Sequence, residues 1–188
     1  MSLRVIAGSA RGRKLKSVPG DTTRPVMDRV KEALFNILAS DGIDSNWWDL
    51  FGGTGAIGIE ALSRGAAFVR FSDLNRAPVD TIKENVEHCG FNKQAEVRKG
   101  DAFSMLSAQA DRHFEFIYIA PPQYHEMWVK ALKLIDENTG WLTNDGTVIV
   151  QIDPTEYQEI ELKNLKETEQ RKYGSTLIIF YDHVNSAA

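Results

Sequence analysis

Three aspartates, Asp49, Asp73 and Asp101, each lie at the carboxyl end of one of three successive strand-like segments of the sequence. Ligands of open parallel sheets bind outside the carboxyl ends of the strands. There, Asp49 could pair with a cationic amine, Asp73 could accept from both hydroxyls of a ribose, and Asp101 could receive an adenine amino group. Each aspartate alone is more often a helix cap or a surface charge. The three together indicate a site for a ligand that carries all of these groups.

The stretch DLFGGTGAIG, residues 49–58, follows the first strand-like segment and leads into a helix-like one. Glycines let the backbone turn sharply and let a ligand approach main-chain N–H groups at a helix start. Gly53, Gly55 and Gly58 satisfy the dinucleotide pattern G-x-G-x-x-G, which is a weak signal on its own. A purely structural turn and a dinucleotide site therefore remain open as explanations of the glycines.

The aspartates and glycines together favour S-adenosylmethionine over a dinucleotide. This cofactor has an adenosine with ribose hydroxyls and an amino-acid tail, and it needs no phosphate cradle. NAD would require a pyrophosphate seated on the helix, usually with the glycine pattern near the start of a much longer chain. The sequence also lacks G-x-x-x-x-G-K-[ST], which argues against the usual nucleoside triphosphatases.

A second unusual segment is IAPPQY, residues 119–124, which follows an apolar and aromatic run. Proline gives no ladder N–H and fixes φ, so a strand has to end at Pro121. An abrupt strand end with an aromatic side chain, Tyr124, just beyond it is atypical of a plain turn. The segment is therefore a candidate for a functional role.

Alternating strands and helices would position these residues. The predicted strands span residues 47–51, 68–73, 95–98, 114–120 and 146–152, and the predicted helices residues 56–64, 78–89, 103–110 and 124–137. This alternation predicts an α/β fold with a mostly parallel sheet and helices on both faces. Two β-like runs, 165–173 and 176–182, predict a closing antiparallel hairpin. Near the start, residues 4–18 predict a small hairpin and residues 22–40 a helix.

The N-terminal segment is basic, whereas the rest of the chain is acidic. Residues 1–31 hold eight Lys and Arg against two Asp, a net charge of +6. Since the whole chain has a net charge of −4, the remaining residues carry −10. This asymmetry indicates a polyanionic partner, with a solvated basic surface as the alternative. The only cysteine, Cys89, excludes an internal disulfide and favours a cytoplasmic protein. No membrane span, secretion signal or metal-ligand spacing is expected.

The stretches TRPVMDRVKEALFNIL and DLFGGTGAIGIEALSRGA, with the strand that ends in Pro-Pro, resemble the bacterial ribosomal RNA small-subunit methyltransferase D family over about residues 3–183. The resemblance implies a Rossmann-like class I methyltransferase fold with a late antiparallel strand. It also implies S-adenosylmethionine as cofactor and methylation of the exocyclic N2 of one guanine in 16S ribosomal RNA. Residues 1–40 would form an RNA-contacting extension and residues 41–188 the cofactor-binding domain.

The resemblance also implies two sets of binding residues. The expected cofactor site consists of Asp49, Phe51, Gly52, Gly53, Gly55, Asp73, Asp101 and Ala102. The expected RNA-binding residues are Arg11, Arg13, Lys14, Lys16, Arg24, Arg29 and Asn36. The RNA could be bound alone or in an assembled small subunit, and the sequence shows no need for an obligate protein partner, so a monomer is expected.

In this resemblance, the place of the Asp/Asn-Pro-Pro-Tyr/Phe motif, which is found in methyltransferases that act on exocyclic amines, is taken by Ala120, Pro121, Pro122, Gln123 and Tyr124. In such motifs a side-chain oxygen and the following carbonyl accept the two N–H groups of an amine, and the aromatic ring stacks on a flipped base. Ala120 has no acceptor and Tyr124 comes one residue late, so Gln123 is a candidate substitute acceptor. Two alternatives therefore remain: an RNA-binding protein with weak or lost catalysis, or a DNA- or protein-directed methyltransferase.

Overall fold

The computed structural model describes residues 3–20 and 28–185. The chain divides into two compact units, one up to Gly100 and the other from Asp101 onward. Each unit contains strands that are followed by helices. The sequence predicts a different division, into an RNA-contacting extension up to residue 40 and a cofactor-binding domain after it. That division stays a prediction.

Among residues 3–20 and 28–100, the first unit contains three α-helices and three strands. Their bounds are α1 Asp28–Leu38, β1 Asn46–Asp49, α2 Ala56–Ser63, β2 Phe68–Asp73, α3 Arg76–Cys89 and β3 Ala95–Lys99. β2 lies between β1 and β3 and pairs in parallel with both, with Asp49 opposite Phe71 and Asp73 opposite Lys99. Asp49 and Asp73 therefore end adjacent strands on the same edge, as the sequence predicts.

Both faces of β1 are buried. Trp47 and Trp48 are adjacent, so their side chains point to opposite faces of the strand, and both are 0% exposed. The indole N–H of Trp48 donates to the hydroxyl of Ser72 at 2.9 Å, and that of Trp47 to Ser45 at 2.8 Å. A strand buried on both faces is what helices flanking a parallel sheet produce. These tryptophans are core residues.

Within its described part, residues 101–185, the second unit contains two α-helices and four strands. Their bounds are α4 Ala102–Ser107, β4 Phe114–Ile119, α5 Met127–Glu137, β5 Leu142–Ile152, β6 Leu165–Tyr173 and β7 Thr176–His183. β4 pairs in parallel with β5, and β7 pairs antiparallel with both β5 and β6. The predicted closing hairpin is thus confirmed, with Gly174 at φ +58° in its turn.

Several details depart from the predicted elements. Helix α5 begins at Met127 and not at residue 124, because Tyr124 and Glu126 have left-handed φ angles of 67° and 50°. Strand β1 ends at Asp49, two residues early, where the glycine loop begins, and β5 begins four residues early, at Leu142. The N-terminal hairpin has one isolated bridge, Arg4 to Lys14.

The predicted helix at 22–40 is helical over Asp28–Leu38. Its expected first residues, 22–27, lie outside the described residues. Within residues 3–20 and 28–185, no helix has both the length and the apolar character needed to cross a membrane. The same residues contain no group of three His, Cys, Asp or Glu side chains arranged to hold a metal ion.

Candidate functional site

The loop between β1 and α2, here called the glycine loop (residues 50–55), is fixed by main-chain hydrogen bonds. The N–H of Gly52 donates to the carbonyl of Ser72 at 2.8 Å, and the N–H of Gly55 donates to the carbonyl of Gly52 at 2.8 Å. Gly53 and Gly55 have φ angles of +58° and +80°, which favour glycine. The loop therefore turns sharply without backbone strain.

The glycines at positions 52, 53 and 58 serve different purposes. A Cβ at Gly52 would lie 2.7 Å from Ile82 Cδ1, and one at Gly58 would lie 2.2 Å from the Phe71 ring, so both permit close packing. A Cβ at Gly53 would meet nothing within 4 Å. Gly58 therefore accounts for helix–strand packing, while Gly53 leaves the backbone accessible to a ligand.

Asp73 links the end of β2 to the glycine loop. Its Oδ2 accepts from the N–H of Gly53 at 3.2 Å, and its Oδ1 accepts from the N–H of Asn75 at 3.1 Å. The residue is half-buried. Each carboxylate oxygen retains lone pairs for further donors, such as a pair of ribose hydroxyls.

Asp49 is buried, although it lies at the entrance of the glycine loop. It is 2% exposed, and its Oδ2 accepts from the N–H of Gly58 at 3.3 Å. Burial raises the pKa of Asp49 well above its usual range, the Gly58 hydrogen bond opposes that rise, and the nearby Asp73 charge adds to it. A cationic amine beside Asp49 would favour the ionised form. The predicted amine contact at Asp49 stays a prediction.

Asp101 has a structural role of its own. It caps α4, and its Oδ2 accepts from both the N–H and the hydroxyl of Ser104 at 2.9 Å. These hydrogen bonds lower the pKa of Asp101, so the residue is a carboxylate at neutral pH. Its neighbour Ala102 is buried, and Phe51 in the glycine loop is half-buried. The expected adenine contact of Asp101 stays a prediction.

The segment after β4, here called the proline segment (residues 120–126), becomes progressively more exposed. Ala120 and Pro121 are half-buried, Pro122 and Gln123 are exposed, and Tyr124 is 66% exposed. The side chain of Tyr124 is therefore accessible to a planar ligand.

Glu156 holds this segment in place. Its Oε1 accepts from the N–H of Tyr124 at 2.7 Å, while its Oε2 accepts from the N–H of Asp153 at 3.4 Å. Glu156 ends a short 3₁₀ turn, Pro154–Glu156, which Asp153 caps. The sequence analysis missed this residue, although the capping-box spacing of Asp153 and Glu156 was a signal that could have indicated the turn.

The basic N-terminal segment is docked on helices α2 and α3. The carboxylate of Glu60, 0% exposed, accepts from the N–H groups of Ile6 and Ala7 at 3.0 and 3.1 Å. At Gly8, a Cβ would lie 1.8 Å from the Ser63 carbonyl, so glycine permits close backbone approach. The sequence analysis also missed Glu60, which reads as an ordinary helix residue.

The four predicted RNA-binding cations of this segment, Arg11, Arg13, Lys14 and Lys16, are all exposed. Arg13 also donates to the carbonyl of His88, and Lys16 pairs with Glu84 at 2.5 Å. Of the remaining predicted RNA contacts, Arg29 and Asn36 are exposed, and Arg24 lies outside the described residues.

One cation of the basic segment does not face solvent. Lys31 is 0% exposed, and its Nζ lies 3.5 Å from a carboxylate oxygen of Glu60. Burial lowers the pKa of Lys31, and the Glu60 charge opposes that change. Lys31 therefore stabilises the anchor on Glu60 and does not contribute to an RNA-facing surface.

An open cavity of about 360 Å³ lies in the first unit, and its lining includes none of the predicted cofactor residues. It is lined by Phe35, Asn36, Ala39, Gly42, Ile43, Ala61 and Arg64. Asn36 is the predicted RNA contact among these residues.

Comparison with known proteins places the chain among methyltransferases of ribosomal RNA. The family model described as conserved hypothetical protein 95 matches residues 3–182. A Bacillus subtilis protein provisionally named rRNA methyltransferase YlbH is 37% identical over 185 residues, 95% of this chain and 98% of that protein. The ribosomal RNA small subunit methyltransferase D of Haemophilus influenzae is 36% identical over 152 residues, 79% of this chain and 78% of that protein.

The fold is shared with solved methyltransferases. An RNA methyltransferase from Salinibacter ruber, solved in complex with S-adenosyl-L-homocysteine, matches with a TM-score of 0.64 and 14% identity over 88% of this chain and 97% of that chain. The predicted Rossmann-like methyltransferase fold is thereby confirmed. With the family match over residues 3–182 and the two relatives, it follows that this chain belongs to the ribosomal RNA small-subunit methyltransferase D family.

Proposed function

We propose that this protein is a ribosomal RNA methyltransferase that transfers a methyl group from S-adenosylmethionine to the exocyclic N2 of a guanine in 16S ribosomal RNA. The observation that carries the proposal is the glycine loop joined to Asp73, in a chain of this family. The hydrogen bond from Gly53 to Asp73 sets an accessible backbone turn beside a carboxylate with spare acceptor capacity.

The described residues fit this cofactor. The two oxygens of Asp73 suit the two ribose hydroxyls, and the left-handed turn at Gly53 leaves backbone open to a ligand. A buried carboxylate at Asp49 suits the cationic amino group of the methionine tail, since each would favour the charged form of the other. Asp101 would receive the adenine amino group.

Bound S-adenosylmethionine supplies an electrophilic methyl group, and catalysis by the chain is mainly positioning. The guanine N2 lone pair is delocalised into the ring, so the amine has to be oriented by acceptors. We assign the carbonyl of Pro121 to one amine N–H and the side chain of Gln123 to the other. The exposed ring of Tyr124 would stack on the extruded base. The transfer would form a nitrogen–methyl bond in place of the sulfur–methyl bond of the cofactor, and the amine would lose one proton to solvent.

The basic segment would bind the RNA backbone. Exposed Arg11, Arg13, Lys14 and Lys16 can neutralise phosphates and release their counterions. Arg29 and Asn36 would add contacts from α1. The proposed partner is 16S ribosomal RNA, either alone or in the small subunit, in the cytoplasm, and the protein would act as a monomer.

A second candidate function is RNA binding with little or no catalysis. One observation favours it: Ala120 provides no side-chain acceptor at the position where the related motif has Asp or Asn. Cofactor binding without turnover would distinguish this candidate from the first.

The test is methyl transfer from labelled S-adenosylmethionine to unmethylated small subunits, naked 16S ribosomal RNA and duplex DNA in parallel, followed by mapping of the modified base. We expect label on one guanine of 16S ribosomal RNA, as N2-methylguanosine. Label on DNA, or on another atom of the RNA, would contradict the proposal. Binding of cofactor and RNA without label would favour the second candidate.

A further inference from the structure

Asn85 of α3 forms hydrogen bonds with two segments that lie far apart in the sequence. The residue is 1% exposed. Its Oδ1 accepts from the N–H of Lys16 at 2.8 Å, and its Nδ2 donates to the carbonyls of Lys16 and Thr54 at 3.0 and 2.9 Å. One buried amide therefore connects the basic segment to the glycine loop.

On the loop side, Asn85 fixes a complete peptide plane. The carbonyl of Thr54 and the N–H of Gly55 belong to one planar peptide group. The carbonyl receives the Asn85 hydrogen bond, and the N–H donates to the carbonyl of Gly52 at 2.8 Å. Loss of the Asn85 bond would leave that plane held at one end only, next to Gly55, whose backbone rotates easily.

On the other side, Asn85 pairs both main-chain groups of Lys16, as a neighbouring strand would. The flanking side chains of Leu15 and Val18 are buried at 7% exposure each. The Lys16 side chain, in contrast, is 72% exposed. A phosphate that binds this ammonium or the cations just before it would therefore act on a backbone that Asn85 holds directly.

We propose that Asn85 is a positioning residue that couples RNA binding by the basic segment to cofactor binding by the glycine loop. The inference rests on the proposed function, because it needs both ligands. RNA that orders the segment around Lys16 would favour the hydrogen-bonded position of Asn85, and this in turn would favour the Thr54–Gly55 peptide orientation. Coupling between two sites is reciprocal, so the cofactor would strengthen RNA binding by the same factor.

The side-chain chemistry supplies a selective variant. Asn85 acts as acceptor and donor at once, which only an amide of this length can do here. Asn85→Asp keeps the acceptor for the Lys16 N–H and removes both donated bonds, and its carboxylate would face two carbonyl oxygens. Thr81→Val is the matched control: Thr81 is 5% exposed on the same helix, and its hydroxyl donates to the Ala77 carbonyl at 2.9 Å.

The experiment is calorimetric titration of S-adenosylhomocysteine into the full chain, with and without saturating unmodified 16S ribosomal RNA. For wild type and Thr81→Val we expect RNA to lower the Kd at least about five-fold, the lower end of typical coupling. For Asn85→Asp we expect the ratio of the two Kd values to approach one. An undiminished ratio in Asn85→Asp, or an equal loss of affinity with and without RNA, would overturn the coupling role.

Two further results separate this inference from the proposed function. If wild type binds both ligands with no coupling, the inference fails and the proposed function stands. If it binds neither S-adenosylhomocysteine nor RNA, the proposed function fails, and the coupling fails with it. Should Asn85→Asp not fold, amide hydrogen exchange of wild type decides. RNA alone should slow exchange at Gly53 and Gly55, and unchanged exchange would refute the coupling.

Discussion

The glycine loop and the proline segment are two ligand-binding candidates that are built in opposite ways. The glycine loop turns through Gly53 and Gly55, for which left-handed φ angles cost little, and it is fixed by main-chain hydrogen bonds together with the side chains of Asp73 and Asn85. The proline segment turns through Tyr124 and Glu126, for which the same region costs about 1–2 kcal/mol each. Side chains from residues 156 and 158 hold it instead.

This difference indicates a division of roles. The glycine loop is a preformed surface whose shape depends on the backbone, which suits a cofactor common to many reactions. The proline segment depends on a few side-chain contacts and presents an exposed ring, which suits positioning of a specific base. Substitutions in the first region should therefore change cofactor affinity, and substitutions in the second should change turnover.

The largest effect is expected for Asp73→Ala. It would remove the proposed acceptor of two charge-assisted hydrogen bonds from the ribose hydroxyls of the cofactor, each worth roughly 1.5–3 kcal/mol. We expect S-adenosylhomocysteine affinity to fall about 100-fold or more in a calorimetric titration. Asp80→Ala is the control, because Asp80 is an exposed carboxylate on α3 that pairs with Arg76. Equal affinity in wild type and Asp73→Ala would remove Asp73 from the site.

Ala120→Asp should change turnover in the proline segment. A new carboxylate would restore the acceptor that the related motif carries, and a well-placed polar group in an active site is worth about 10²–10³ in rate. We expect faster single-turnover methylation, by up to that factor, if the carboxylate finds room. Gln123→Ala should slow the same reaction if Gln123 is the substitute acceptor. Fast wild-type turnover that responds to neither change would show that this segment does not orient the amine.

Glu156→Ala tests whether one carboxylate holds the proline segment. The variant removes the acceptor of the Tyr124 N–H, a bond that helps to offset the cost of the left-handed Tyr124 backbone. We expect turnover at saturating cofactor to fall about ten-fold, the equivalent of about 1.4 kcal/mol, with cofactor affinity unchanged. Glu159→Ala, at an exposed residue three positions away, serves as the control. A rate equal to that of wild type would assign Glu156 to the 3₁₀ turn alone.

The smallest effect on cofactor affinity is expected when Arg11, Arg13, Lys14 and Lys16 are all replaced by Ala. These residues are exposed and lie in neither region. Without RNA, S-adenosylhomocysteine affinity should stay within about two-fold. The salt dependence of RNA binding should flatten by about 0.7–0.9 in slope per lost phosphate contact. An unchanged slope would identify the basic segment as a solvated surface.

The sequence predicted the strands, the helices and the glycine loop because these depend on local patterns. Alternation of β and α segments, and glycines where φ has to be positive, can be read without knowing the fold. Glu60, Asn85 and Glu156 could not be assigned a role in this way. Each binds main-chain groups 31 to 69 residues away in the chain, so its role depends on tertiary structure. Likewise, Lys31 reads as a surface cation, although it is buried against Glu60.

The division of roles between the glycine loop and the proline segment is tested most directly by two measurements on wild type, Asp73→Ala and Glu156→Ala. The first is S-adenosylhomocysteine affinity, and the second is single-turnover methylation of the same 16S ribosomal RNA at saturating S-adenosylmethionine. We expect Asp73→Ala to weaken S-adenosylhomocysteine affinity by about 100-fold or more and, once the cofactor saturates, to retain most of the methylation rate. We expect Glu156→Ala to keep wild-type affinity and to lose about ten-fold in methylation rate. The reverse pattern, or loss of both properties in both variants, would contradict the division between the glycine loop and the proline segment.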